Sequence, residues 1–188
     1  MFVKFFTTSL ILCALHFTCY AIPVTIDFEA FPTGNFTNGM EDGFTITATG
    51  NDPEIFSLGN PGRSIGEFDI DTTSTYTFTT TGNFQFTSID LNDGNGVGGI
   101  TVDVRGFLGG PLVATDQFTV GTTYMTFAAT NLSGQMLDRV EVEITNVGGS
   151  AIDGDNVVFD TVPEPSTYAL LSLLGIGFLL HRRRTAKA

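Results

Sequence analysis

Residues 140–144 read Val-Glu-Val-Glu-Ile, and residues 100–104 read Ile-Thr-Val-Asp-Val. In both, apolar and polar side chains alternate without a break, the period of two that sends successive residues to opposite faces of a strand. An amphipathic helix would instead repeat its apolar residues three and four apart. The alternation recurs at Val24-Thr25-Ile26-Asp27-Phe28, Phe44-Thr45-Ile46-Thr47, Tyr76-Thr77-Phe78-Thr79 and Phe84-Gln85-Phe86. Each run has one apolar face and one face of Thr, Asp, Glu or Gln, which reads as antiparallel strand with one side buried. Phe78, Phe84 and Phe86 fall on the apolar phase and are read as core.

Asn60-Pro61-Gly62, Asn92-Asp93-Gly94-Asn95-Gly96, Gly109-Gly110-Pro111 and Gly148-Gly149 break the alternating runs. They supply the backbone freedom and preset φ that tight turns need. About ten short strands at such spacing predict an all-β fold, an antiparallel β-sandwich or jelly roll. A lone sheet would leave one apolar face wet, and a membrane barrel would need outward apolar bands in place of these Thr- and Asp-rich faces.

The chain's 188 residues suffice for one such domain plus targeting segments. Residues 1–21 carry Lys4, an apolar stretch from Phe5 to Phe17, and Cys19-Tyr20-Ala21 as a small-x-small site, and are expected to be a cleaved signal peptide. His16-Phe17-Thr18 ahead of Cys19 is too bulky for the usual lipobox. Residues 22–161 are then the β-sandwich domain and residues 162–188 a tail.

Between Ile22 and Val162 the only basic residues are Arg63, Arg105 and Arg139, set against nineteen acidic ones, a formal charge of −16. That surface repels nucleic acid and anionic lipid and favours cations. Both cysteines (Cys13, Cys19), both histidines (His16, His181) and both lysines (Lys4, Lys187) lie outside this segment. Ser-His-Asp and Cys-His catalysis, histidine-ligated zinc, a Schiff-base lysine and a P-loop are therefore excluded for the domain. A carboxylate pair of the glycosidase kind is the catalytic chemistry left, and no pair is marked out among nineteen.

The chain closes with Val-Pro-Glu-Pro from Val162, an apolar stretch over 168–181, and Arg182-Arg183-Arg184. Thirteen residues from Tyr168 to Leu180 would reach about 20 Å as a helix, short of a bilayer's hydrocarbon core. The arginines would stay cytoplasmic and put the domain outside, in agreement with the leader. Pro163 and Pro165 favour an extended, protease-readable joint.

The order of Pro163-Glu164-Pro165, the apolar run Ala169 to Leu180 and Arg182-Arg183-Arg184 at the extreme C-terminus resembles the PEP-CTERM proteins of Gram-negative bacteria. The resemblance implies a sorting signal read and processed by a membrane exosortase, in organisms that export polysaccharide and form biofilm. The protein would pass through an inner-membrane-anchored intermediate, held transiently by its C-terminal hydrophobic helix, to the cell surface or the extracellular space. Tyr168 stands where that signal often has tryptophan. Ile26-Asp27-Phe28-Glu29 and Asp155-Asn156-Val157-Val158 also resemble the first and last strands of jelly-roll carbohydrate-binding modules.

Together these features predict an exported, non-catalytic surface or extracellular-matrix protein that contacts exopolysaccharide. The alternatives are a carboxylate-dependent glycan hydrolase and a purely structural matrix protein without ligand. Tyr76, Tyr124 and phenylalanines are the rings available for stacking on sugar, since tryptophan is absent. A structural calcium ion is further expected where the first and last strands meet. Glu29 and Asp155 would be its side-chain ligands, with Asp27, Asp153 and Asn156 in reserve. No EF-hand spacing is present, because Val97 holds the fifth position of Asp93-Gly94-Asn95-Gly96-Val97.

Overall fold

Alternation becomes strand along the whole domain. The computed structural model describes residues 21–162 except 60, 68–71, 95, 97–98, 147 and 149–150. The leader, Pro163, Glu164, Pro165, the apolar segment 168–181 and Arg182, Arg183 and Arg184 thus lie outside the described residues. Twelve strands follow in order: β1 Ile22–Ile26, β2 Gly34–Asn35, β3 Asn38–Glu41, β4 Phe44–Gly50, β5 Glu54–Gly59, β6 Gly62–Glu67, β7 Thr73–Asp93, β8 Ile100–Phe107, β9 Leu112–Val120, β10 Met125–Ala128, β11 Leu137–Thr145 and β12 Ile152–Thr161. Every pairing is antiparallel. Among the described residues there is no helix.

The long strand β7 organises the fold because it belongs to two limbs. Its first part, Thr73 to Thr79, lies between β4 and β11, and β11 leads on to β8 and β9. Its second part, from Phe84 on, lies between β12 and β10, and β12 leads on to β6, β5 and β2. The register against β11 jumps from Leu137–Phe84 to Arg139–Thr79. Extra residues inserted into one strand bend it and sharpen its twist, so the limbs turn toward each other and form the layers of a sandwich. Sequence alternation gave Tyr76–Thr79 and Phe84–Phe86 as separate runs; the structure joins them through the bend.

Between the layers sits an aromatic core. Phe159 of β12 stacks on Phe44 of β4 with centroids 4.6 Å apart and meets Phe84 at 5.1 Å, Phe78 at 5.4 Å and Phe86 at 6.1 Å. These five rings are fully or almost fully buried together with Ile26, Ile46, Val140, Val142 and Val157. Phe78, Phe84 and Phe86 therefore have the role that their phase predicts. Strand β1 pairs with the end of β12 from Ile22–Thr161 to Ile26–Val157, so the first and last strands meet as expected.

Candidate functional site

Directly opposed residues of adjacent strands share a face, and in the β6–β12–β7–β10 limb this rule assembles a polar row. Asp153 of β12 faces Asn92 of β7 and Gly66 of β6, while Asp155 faces Asp90, and Asp90 faces Thr126 of β10. Ile152, Gly154 and Leu91, one residue out of phase, turn to the apolar side, where Gly154 lies against Ile65, Ile89 and Leu91. Sheet periodicity thus puts Asp153, Asn92, Asp155 and Asp90 on one side and Ile152, Gly154 and Leu91 on the other.

Two parts of the row differ in access. Ser64, Asp153 and Asp155 are buried, whereas Asp90, Asn92, Tyr124 and Asn156 are half-buried and Thr126 and Leu58 are exposed. Asp90 is held at both oxygens, by the Thr126 hydroxyl at 2.6 Å and the Asn156 amide at 3.0 Å. Asn156 has φ 46° at a bulge where the β12–β7 register slips between Asp155 and Val158. Asparagine tolerates this left-handed conformation better than most residues, and the bulge lets its amide reach Asp90. The Tyr124 hydroxyl donates to the Leu58 carbonyl at 3.1 Å, spanning the face from the β10 side to β5. Burial, followed by the charge of Asp153, pushes the Tyr124 phenol above its ordinary value, so it remains a hydrogen-bonding hydroxyl. Burial also raises Asp153 to about 7, assisted by the charges of Asp155 and Asp93 and opposed by the Ser64 hydroxyl and the Asn92 amide.

Of the residues expected to share one calcium ion, Asp27 and Glu29 lie on the turn after β1, and Asp153, Asp155 and Asn156 on β12. Asp27 and Glu29 flank Phe28, whose φ of 60° ends β1 in a sharp turn. Asp27 lies against Glu41, and Glu29 accepts from the Arg63 amide at 2.6 Å. The Arg63 guanidinium donates to the carbonyls of Glu29 and Phe31, fastening the turn to β6. A side chain at Gly62, where φ is 102°, would collide with the Glu29 carboxylate, its Cβ only 1.7 Å from Oε1. Asp153, Asp155 and Asn156 belong to the polar row, and Asp155 Oδ2 borders Gly59, the residue paired with Gly62. Among the described residues, no three acidic or histidine side chains are placed to hold a metal. Sequence reasoning missed Asn92, Asp90 and the bridging role of Tyr124. Asn92 was absorbed into a turn motif, and the pairing that makes these residues neighbours of β12 is long-range.

Glu41 is almost fully buried and accepts from the Phe28 amide at 3.0 Å. Its carboxyl is raised from 4.5 to about 7, first by burial and then by the hydrogen bond and charge of Asp27. The native chain keeps this proton up to about pH 7, and the unfolded chain releases it near 4.5. In that window the native state binds more protons, so stability falls as pH rises. The full chain should therefore melt at a higher temperature at pH 5 than at pH 8, and Glu41→Gln should reduce this slope, to which Asp153 contributes in the same window. An unchanged slope in Glu41→Gln would refute this source of pH dependence.

Comparison with known proteins adds the address. Residues 161–184 match the PEP-CTERM protein-sorting motif, a match that includes Pro163-Glu164-Pro165 and Arg182-Arg183-Arg184. The motif marks the chain for export and membrane-anchored sorting by an exosortase. No curated protein matches the chain. Similar solved structures include a family 29 carbohydrate-binding module from Piromyces equi, at 11% identity and TM-score 0.46 over 75% of this chain and 91% of that one. Another is the family 11 carbohydrate-binding module of the cellulosomal cellulase Lic26A-Cel5E of Clostridium thermocellum, at 12% identity and TM-score 0.40 over 76% and 95%. At these scores the likeness assigns no ligand; the polar row itself must carry the functional reading.

Proposed function

We propose that the chain is an exported, non-catalytic surface or extracellular-matrix protein whose β-domain binds polysaccharide across the face of Asp90, Asn92, Tyr124 and Thr126. In this reading an exosortase processes the tail in the envelope of a Gram-negative bacterium, and the domain reaches the cell surface or its matrix. The observation that carries the glycan reading is the accessible half of the polar row. A fixed carboxylate, an amide and two hydroxyls suit a ligand rich in vicinal hydroxyls, and the Tyr124 ring offers an apolar surface for a sugar face. Leu58, exposed beside it, extends that surface.

Charge selects among polymers. The three arginines of the domain are engaged: Arg63 with Glu29 and Phe31, Arg105 with Glu143 at 2.5 Å, and Arg139 with Glu141 at 3.5 Å and over the Phe107 ring. A polyanion approaching this domain would meet repulsion without a free partner for its charge, so a neutral exopolysaccharide is the expected ligand.

One observation favours the hydrolase alternative, namely the pairing of a carboxyl raised to about 7, Asp153, with neighbouring Asp155. Burial opposes it. Asp153 is 1% exposed and Asp155 0%, whereas a general acid must come within hydrogen-bond reach of the glycosidic oxygen. A glycan array that includes the host's own exopolysaccharide, read for both binding and release of reducing ends, separates the readings. Binding of neutral glycans without release is expected. Release that Asp153→Asn abolishes would establish the hydrolase, and silence in both readouts the structural protein without ligand.

A further inference from the structure

We propose that the tip of the β8–β9 hairpin, residues 108–113, dips into the surface of a lipid bilayer while the sorting tail is engaged. Leu108, Pro111, Leu112 and Val113 are exposed there, with only Gly109 and Gly110 between them. No acidic or basic residue occurs from Gly106 to Thr115, within a domain of formal charge −16. Single apolar side chains on a surface are ordinary, but contiguous ones mark a contact. Strand β9 is also an edge of the sheet, and proteins ordinarily guard such edges with charge. The turn itself is tightly fixed. Gly109 and Gly110 have φ of 63° and 102°, the two positive values of a tight hairpin turn, and the Leu108 amide donates to the Pro111 carbonyl at 3.1 Å. The Gly109 amide donates to Asp138 Oδ2 at 2.7 Å.

Register puts this tip near the point where the tail departs. Phe107 faces Arg139; two residues along β11, Leu137 faces Phe84; Phe84 faces Thr161, and exposed Ile22 lies opposite Thr161. Three strand spacings and two residues bound the separation of Phe107 and Thr161 at about 20 Å. Residues 161–184 carry the sorting motif, and the chain from Thr161 to Tyr168, where the apolar run starts, can span no more than about 25 Å. Sorting at a membrane therefore keeps a lipid surface within reach of the tip. Charge favours lipid over other occupants. Arg105 and Arg139 at the base of the hairpin are paired with Glu143 and Glu141, so the arginines nearest the tip are not free to recruit an anionic partner. A second copy would bring another formal charge of −16 against this one. Zwitterionic lipid carries no such repulsion, and its headgroup boundary accepts Leu, Val and Pro side chains to a depth of about 5–10 Å.

The chain has no tryptophan, so Leu112→Trp places a single reporter at the tip. The full chain carrying it is reconstituted into phosphatidylcholine vesicles, with and without bromine on the acyl chains. Blue-shifted emission that brominated lipid quenches is expected from Leu112→Trp. Met125→Trp, at an exposed position of β10 opposite Leu91, should keep the emission of a water-exposed ring and escape quenching. Adding Leu108→Asp and Val113→Asp to Leu112→Trp should abolish both the shift and the quenching. Circular dichroism checks folding, and Leu108→Trp serves as the reporter if Leu112→Trp does not fold. Water-exposed emission from the tip, or equal quenching at Met125→Trp, overturns the proposal. So does a blue shift that grows with protein concentration and ignores brominated lipid, which would assign the tip to a second copy of the chain. The test involves no glycan, so failure of the Tyr124 face to bind polysaccharide would leave it standing.

Discussion

Phe159→Ala is expected to destabilise the chain by about 4 kcal/mol, the upper range for removing a buried ring. Phe159 is where the two layers meet. It stacks on Phe44 from the opposite limb and touches Phe78, Phe84 and Phe86, which come from both sides of the bend in β7. Alanine would forfeit the transfer energy of the ring and leave a cavity walled by four other rings, which close packing cannot collapse. Phe159→Leu, which refills most of the volume, should cost about half as much or less. Denaturant melts of the full chain would measure both. A Phe159→Ala cost under about 1 kcal/mol, typical of a residue outside the core, would contradict the packing described here.

Asp116→Ala should cost about 3 kcal/mol, for a reason unrelated to packing. The Asp116 side chain on β9 is 1% exposed and accepts four hydrogen bonds. Its Oδ1 receives the Thr130 hydroxyl at 2.5 Å and the Asn131 amide at 2.7 Å, and Oδ2 receives the Thr130 amide at 2.8 Å and the Leu132 amide at 3.3 Å. Burial by itself would raise its pKa, but these four donors outweigh burial and hold it below the ordinary value. The contribution is consequently present at neutral pH and lost only as acid reaches the depressed pKa. Alanine removes the acceptor of three backbone amides, that of buried Leu132 among them, and an unsatisfied buried donor costs far more than the net value of the bond it made. Asp116→Asn should recover little, since its NH2 would point at donors. Full stability of Asp116→Asn would show that the charge is dispensable and the account of this loop wrong.

These two residues mark how far the sequence could be read. Val140–Ile144 and Ile100–Val104 announce their strands because alternation is local, and Phe78, Phe84 and Phe86 are legible as core for the same reason. The bend in β7 is different. Nothing in Thr80–Asn83 tells that the chain continues as strand into a second layer, because the bend depends on pairing with β11 and β12, which lie far along the chain. Asp116 was one acidic residue among nineteen, and its partners come from a loop more than a dozen residues away. In the candidate site, the Asp153-Gly154-Asp155-Asn156 stretch stood out in sequence, but its cross-strand neighbours Asn92 and Asp90 were set by register. Asp27 and Glu29 read as successive outward residues of one strand. The positive φ at Phe28 turns the chain between them and sends one to Glu41 and the other to Arg63.

The central claim is that an exported β-domain binds neutral polysaccharide through the Tyr124 face, and calorimetric titration of the full chain tests it most directly. The wild-type chain should bind the neutral polymer identified on the array. Tyr124→Ala and Asp90→Ala should each weaken binding about tenfold or more, equivalent to about 1.4 kcal/mol. Leu112→Ala, which alters an exposed residue on the β9 edge, should leave binding unchanged. Equal affinity in all four proteins, or no binding by the wild-type chain to any neutral polymer, would contradict the claim.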